Sequence, residues 1–114
     1  MVHRKKLALV AAAVLVSQTL AAEQRTDLGK LVFESNCTAC HGVQGNGRGP
    51  ASATITGVKP RDFTTGIFKY GSSDQEIFET ITNGVAGTAM PSWKELSVSD
   101  RQAVVRYIKK FSKK

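Results

Sequence analysis

Cys37-Thr38-Ala39-Cys40-His41 decides how this chain is read. Two thiols three residues apart, followed at once by a histidine, have the spacing of a c-type haem attachment site. Residues three and four apart share one face of a helical turn. Both sulfurs can then bond the two vinyl groups of one haem. His41, four residues after Cys37, can rise under the iron as an axial ligand. Chemistry of that kind belongs to the haem, and the protein orients and tunes it.

Two other uses of a Cys-x-x-Cys pair fit less well. Thiol-disulfide exchange of the thioredoxin type expects a βαβ setting, which the surrounding pattern does not offer, and it leaves His41 unexplained. A structural zinc site needs a fourth ligand beyond two cysteines and one histidine.

Upstream, the chain opens with Arg4, Lys5 and Lys6, continues through an apolar run from Leu7 to Val16, and reaches small residues at Ala21 and Ala22. That sequence of charge, hydrophobicity and small side chains is the pattern of a secretory signal peptide. Cleavage is expected after Ala21 or Ala22. The apolar run is shorter than the roughly 20 residues a membrane-spanning helix needs, so no span is expected in the mature chain. Residues 1–22 therefore read as a signal and 23–114 as one domain of 92 residues. A domain of that size has a modest core, which a buried haem would complete. Thiols in an exported chain ordinarily pair with each other; here thioether bonds to haem are the competing fate.

The formal charge of +7 is reduced by removal of the signal, which leaves 13 basic residues against 9 acidic ones, a net +4. A charge this small, on an exported chain, argues against nucleic acid as a partner. It suits steering toward an acidic protein surface.

Downstream the pattern is helical with one long interruption. A first helix is expected to start at Thr26 or Asp27, both good N-caps, with Leu28, Leu31 and Val32 as its apolar face. From Gly42 to Gly71 seven glycines, with Pro50 and Pro60, break any long helix. So long a loop is unusual in a compact domain, unless it wraps a prosthetic group that replaces missing core. Ser73 and Glu76 make a capping-box pattern ahead of Ile77, Phe78 and Ile81, and Asn83-Gly84 is a stop signal. Ser97 with Asp100 opens a last helix on which Val104, Tyr107, Ile108 and Phe111 recur at helical spacing. No strand pattern or internal repeat is present. The expected class is all-α: three to four helices and a long loop around one haem.

Subtraction of the signal peptide sharpens the ligand question. The chain has two Met, two His and two Cys; Met1 and His3 leave with the signal. His41 and Met90 are then the only candidates of their kinds, and Met is the common partner of His on haem iron in electron carriers. Bis-histidine ligation within one mature chain is excluded. A lone Met ordinarily packs in a core, but Met90 lies in the loop Gly84-Val85-Ala86-Gly87-Thr88-Ala89-Met90-Pro91, away from any apolar stripe, where Pro91 stiffens the following turn. A haem enzyme such as a peroxidase needs an exchangeable iron position, and Met90 would close it.

Taken in order, the first helix, Cys37-Thr38-Ala39-Cys40-His41-Gly42, the glycine-rich loop, the middle helix, Gly87-Thr88-Ala89-Met90-Pro91 and the last helix with Tyr107 resemble a class I cytochrome c of the small bacterial, periplasmic kind. The resemblance covers nearly all of the mature chain. It implies a monohaem, His/Met-ligated electron carrier in the periplasm, without enzymatic activity, that works as a monomer or in transient complexes with a redox donor and acceptor. A fixed haem subunit of a larger periplasmic oxidoreductase or respiratory complex is the alternative. Gly29 and Phe33 match the family's small and aromatic positions and imply a close crossing with the last helix near Val104 and Tyr107. Pro50 resembles the proline whose carbonyl accepts the hydrogen bond from Nδ1 of the haem histidine. The exposed haem edge of the family lies near the Cys-Cys-His turn and the Met loop, which makes Arg48, Lys69 and Lys94 docking candidates for an acidic partner.

Three features stay open on sequence. Trp93 could pack on the haem and donate to a propionate, or simply fill the core. Arg61 could pair with a propionate, or with Asp62, or face solvent. Arg101, Arg106, Lys109, Lys110, Lys113 and Lys114 read as a solvated basic helix end, favourable at a C-terminus.

Overall fold

The computed structural model describes residues 2–113, with side chains from Ala13 onward except that of Thr26. Met1, Lys114 and the side chains of His3, Arg4, Lys5, Lys6 and Thr26, all singled out above, lie outside that description.

Four helices carry the fold: α1 (Val2–Asn36), α2 (Thr38–His41), α3 (Asp74–Asn83) and α4 (Val98–Lys110), with 3-10 turns at Ser52–Thr54, Phe63–Thr65 and Phe111–Lys113. No strand occurs among the described residues. The first helix does not start at Thr26 or Asp27, because the chain before them is already helical. Nothing from Val2 to Leu28 is Gly or Pro, and Ala and Leu are its commonest residues, so no residue stops the helix. Along its first described side chains, Val14, Leu15, Val16 and Leu20 are all exposed. No helix among the described residues is long and apolar enough to cross a membrane.

The core forms where α1 crosses α4. Phe33 is fully buried, and Val104 and Val105 nearly so. Phe33 packs on Tyr107 and Phe111 at ring-centroid distances of 5.4 and 5.2 Å, and lies edge-on to Phe63 at 6.3 Å. A Cβ at Gly29 would run into the carbonyl oxygen of Ala103 and press on Tyr107; its absence lets the two backbones approach. The crossing thus lies at Ala103 and Tyr107, with Val104 buried beside it. Leu31, grouped with the apolar face by spacing, is 62 % exposed.

The other two helix starts follow the sequence. Ser73 accepts from the Glu76 amide and Glu76 returns to the Ser73 amide, completing the capping box. Ser97 accepts from the Asp100 amide at 3.1 Å. Ile77 and Ile81 of α3 face Val104, Val105 and Ile108 of α4 in a single apolar cluster. Lys109 and Asp74 bridge the same two helices at their solvent side.

Candidate haem site

The turn of α2 is held from both ends. The Cys37 amide donates to Phe33 O at 2.8 Å, which docks the turn onto the end of α1. A helix this short leaves its last carbonyls unpaired unless something returns to them. Here the loop does so: Thr38, Ala39, Cys40 and His41 carbonyls accept from the amides of Gly42, Ala51, Gly49 and Gly47, at 2.7–3.0 Å. The glycine-rich start of the loop is therefore a collar around the Cys-Cys-His turn.

Cys37 and Cys40 are both free thiols, half-buried and unjoined. Burial, with the neighbouring Cys40 adding to it, pushes the Cys37 thiol up to about 11. The His41 ring stacks on Phe63 at 4.4 Å and 20°, and Nδ1 lies 3.1 Å from the Arg61 carbonyl oxygen. That carbonyl can only accept, so Nδ1 carries the proton and Nε2 keeps its lone pair. Burial lowers the His41 pKa, and the bond to Arg61 O opposes the shift in part. The ring is held as an oriented, neutral imidazole.

The expectation for Pro50 is corrected by this geometry. Pro50 is exposed, and the amides of Gly49 and Ala51 on either side of it are committed to Cys40 and Ala39 carbonyls. That pins the Pro50 segment along the α2 backbone. The Pro60-Arg61 segment packs against Gly47 instead, and brings the Arg61 carbonyl to the ring. Sequence reading had Arg61 only as a side chain; its backbone does the work, and its side chain is exposed.

Met90 is positioned by the end of α3. Gly84, at φ 66°, ends the helix, and a Cβ there would strike Pro91 C at 2.6 Å and Met90 O at 2.8 Å. Val85 N donates to Met90 O at 3.1 Å, Met90 N to Thr88 Oγ1 at 3.2 Å, and Trp93 N to Ile81 O at 3.0 Å. The loop is tied closed on the helix it leaves.

One cavity gathers these elements: Cys37, Cys40, His41, Met90, Trp93 and Arg61 all line it. Pro50 does not, nor do Arg48 and Lys94, whereas Lys69 does. The Lys69 ammonium lies 5.6 Å from the Tyr70 ring centroid. Phe68, Met90, Trp93 and Leu96 pack on the core while remaining only partly buried. Among the described residues no group of three or more His, Cys, Asp and Glu side chains is placed to hold a bare metal ion. Phe63 was missed as the stacking partner of His41, and its aromatic ring just after Asp62 gave no periodic signal.

Residues 26–112 match the family model for cytochrome c. The chain belongs to the cytochrome c family. A cbb3-type cytochrome c oxidase subunit CcoP from Azospirillum sp. is 37 % identical over 67 residues, 59 % of this chain and 22 % of that protein. The FixP subunit of Azorhizobium caulinodans is 35 % identical over 81 residues, 70 % of this chain and 25 % of that protein. A CcoP of Rhodobacter capsulatus is 33 % identical over 101 residues, 82 % of this chain and 31 % of that protein. The chain thus spans less than a third of the length of these relatives. Among solved structures, a chain of the reducing HAO-like protein complex of Kuenenia stuttgartiensis matches at TM-score 0.72 and 39 % identity, over 78 % of this chain and 44 % of that one.

Membership implies a covalently held c-type haem and haem-based electron transfer. The donor set fits that group. Two free thiols, a neutral imidazole and a thioether face one apolar cavity whose aromatic walls are left half-covered.

Proposed function

We propose that this cytochrome is an exported, single-haem electron carrier, with thioether bonds at Cys37 and Cys40 and iron ligands His41 and Met90. The observation that carries the reading is that these four side chains line the same cavity, and that the segment after Ala22 contains no other Cys, His or Met. The haem supplies a one-electron ferric/ferrous couple. The chain's part is to hold it: His41 stays neutral and oriented through Arg61 O, Met90 is presented by its tied loop, and Phe63, Phe68 and Trp93 exclude water. A low-dielectric setting with a thioether ligand favours the reduced state. Bound haem would exchange its electron with a partner by outer-sphere transfer, and the exposed Lys69, which lines the cavity, favours an acidic one. With His41 and Met90 both committed to the iron, the site would act as a carrier and not as an enzyme.

Residues 1–22 serve as a secretory signal in this reading, cut after Ala21 or Ala22, and the mature chain works in the periplasm. Support comes from the basic start, the short apolar run and the exposed Val14, Leu15, Val16 and Leu20, which add nothing to the core. Mass analysis of protein matured in a periplasm tests both halves. A chain starting at Ala22 or Glu23 and heavier by one haem is expected; a mass without haem after denaturation refutes the attachment. A ferric spectrum lacking the sulfur-to-iron band at neutral pH, or ready carbon monoxide binding by the ferrous protein, would remove Met90 from the iron.

A second reading is that the chain is a fixed haem subunit of a larger oxidoreductase. It is favoured by relatives that are oxidase subunits and by a structural match within a complex. Co-purification at a fixed ratio with one other polypeptide would decide for it over free diffusion.

A further inference from the structure

Arg101 was expected on a solvated basic face, yet only 9 % of it is exposed. The spacing Arg101, Val104, Val105, Ile108 puts it on the buried stripe of α4, a signal that its charge obscured. Its guanidinium sits over the Phe78 ring at 5.0 Å, and Nη1 donates to Thr82 Oγ1 at 2.8 Å. Nε is buried without a hydrogen-bond partner among the described residues, and no carboxylate is paired with the group there. A buried charge of this kind costs stability compared with an apolar side chain of the same volume, so packing alone does not account for it.

What Arg101 grips does account for it. Thr82 lies in the last turn of α3, and its carbonyl accepts from Ser92 Oγ at 2.7 Å. Ser92 is two residues after Met90. The neighbouring Ile81 carbonyl takes the Trp93 amide, and Val85 donates to the Met90 carbonyl. The Thr82 and Ile81 carbonyls lie in the last turn of α3 and Val85 just past its cap, so these bonds tie the Met90–Trp93 segment to that end of the helix, and Arg101 fastens the same end to α4, which is itself packed on α1. From core to ligand the connection runs Arg101, Thr82, Ser92, Met90.

We infer that Arg101 is a positioning residue for Met90: by locking the last turn of α3 to α4 it sets how readily the thioether is displaced from the iron. This rests on the reading of Met90 as a ligand. The ferric holoprotein is titrated with imidazole at fixed pH while the sulfur-to-iron band is followed. Arg101→Leu and Thr82→Val should each raise the apparent imidazole affinity about tenfold, the size of losing one hydrogen bond to a charged group. The double variant should exceed the stronger single variant by little, because both cut the same connection. Arg101→Lys should restore part of the resistance. Lys109→Ala, which cuts the other α3–α4 tie at the far end of α3, should stay near the wild-type value. Unchanged affinity in both Arg101→Leu and Thr82→Val overturns the assignment, as does an equal rise in Lys109→Ala. Where Arg101→Leu fails to fold, Thr82→Val decides, since it keeps the side-chain shape. A wild-type protein without the band sinks the Met90 reading and this one with it; a band that is present but unmoved by the variants sinks this one alone.

Discussion

The α1–α4 crossing and the cavity wall are built from similar side chains, and they end in different states. At the crossing, Phe33, Val104 and Val105 are at most 2 % exposed, each covered by protein. Across the cavity, Phe68, Met90, Trp93 and Leu96 touch the same core but keep part of their apolar surface open. The first region closes on itself; the second is shaped to close on a cofactor. Apolar burial contributes in proportion to the area removed from water, so the two regions should answer differently to mutation and to haem.

Loss of both attachment points separates them most sharply. In Cys37→Ser/Cys40→Ser the denatured chain should carry no haem at all by mass, and the cavity half should lose most of its protection from amide exchange while the crossing keeps more of its own. Equal loss in both halves would break the comparison. Next in size is Gly29→Val, which drives two backbones apart at the crossing and should cost about 3 kcal/mol or more in urea unfolding. The folded fraction should keep its haem spectrum, because no residue at Gly29 faces the cavity. Trp93→Ala is the converse: it should cost about 3 kcal/mol in the haem-loaded protein, near the range for deleting a buried Trp. In the chain made without haem the same change should cost well under half of that. A similar cost in both forms would show that Trp93 belongs to the closed core.

The smallest effect is one of pH, in the chain without haem. Burial holds His41 below its ordinary value near 6.5. The unfolded chain then takes up a proton that the folded one refuses, so stability is intact above about pH 6.5 and falls as the pH drops through it, by at most about 1.4 kcal/mol per unit. His41→Gln should flatten this slope in urea midpoints measured from pH 8 to 5. In the loaded protein, where the proposed iron bond would take the Nε2 lone pair, the slope should shrink as well.

Local signals in the sequence carried the helices well. Ser73 with Glu76, Ser97 and Gly84 act within four residues of themselves, and the structure uses each as a cap or a stop. The Cys37–His41 turn was legible for the same reason. Long-range choices were not. Nothing near Pro50 or Arg61 says which carbonyl will reach the His41 ring; that depends on the loop returning its amides to α2 and leaving Pro60-Arg61 against Gly47. Arg101 was misplaced because charge suggested solvent while its position on α4 dictated burial. Leu31 failed in the other direction, apolar in type and exposed in fact. Thr26 and Asp27 looked like a helix start because capping chemistry is judged locally, and the unbroken helix-forming stretch before them removed the need for a cap.

The unbroken course of α1 has a consequence for timing. It passes through Ala21 and Ala22 without a linker, so in the folded chain the backbone at the expected cut is wound, each amide tied to a carbonyl four residues back. A protease needs that backbone extended in its cleft. If residues 1–22 are a leader, as proposed above, their removal would belong to a chain whose first helix has not yet formed, ahead of the packing of Phe33 on α4. On that proposal, export, trimming and haem attachment at residue 37 would form an ordered sequence, with helix formation ending the interval in which the trim can be made.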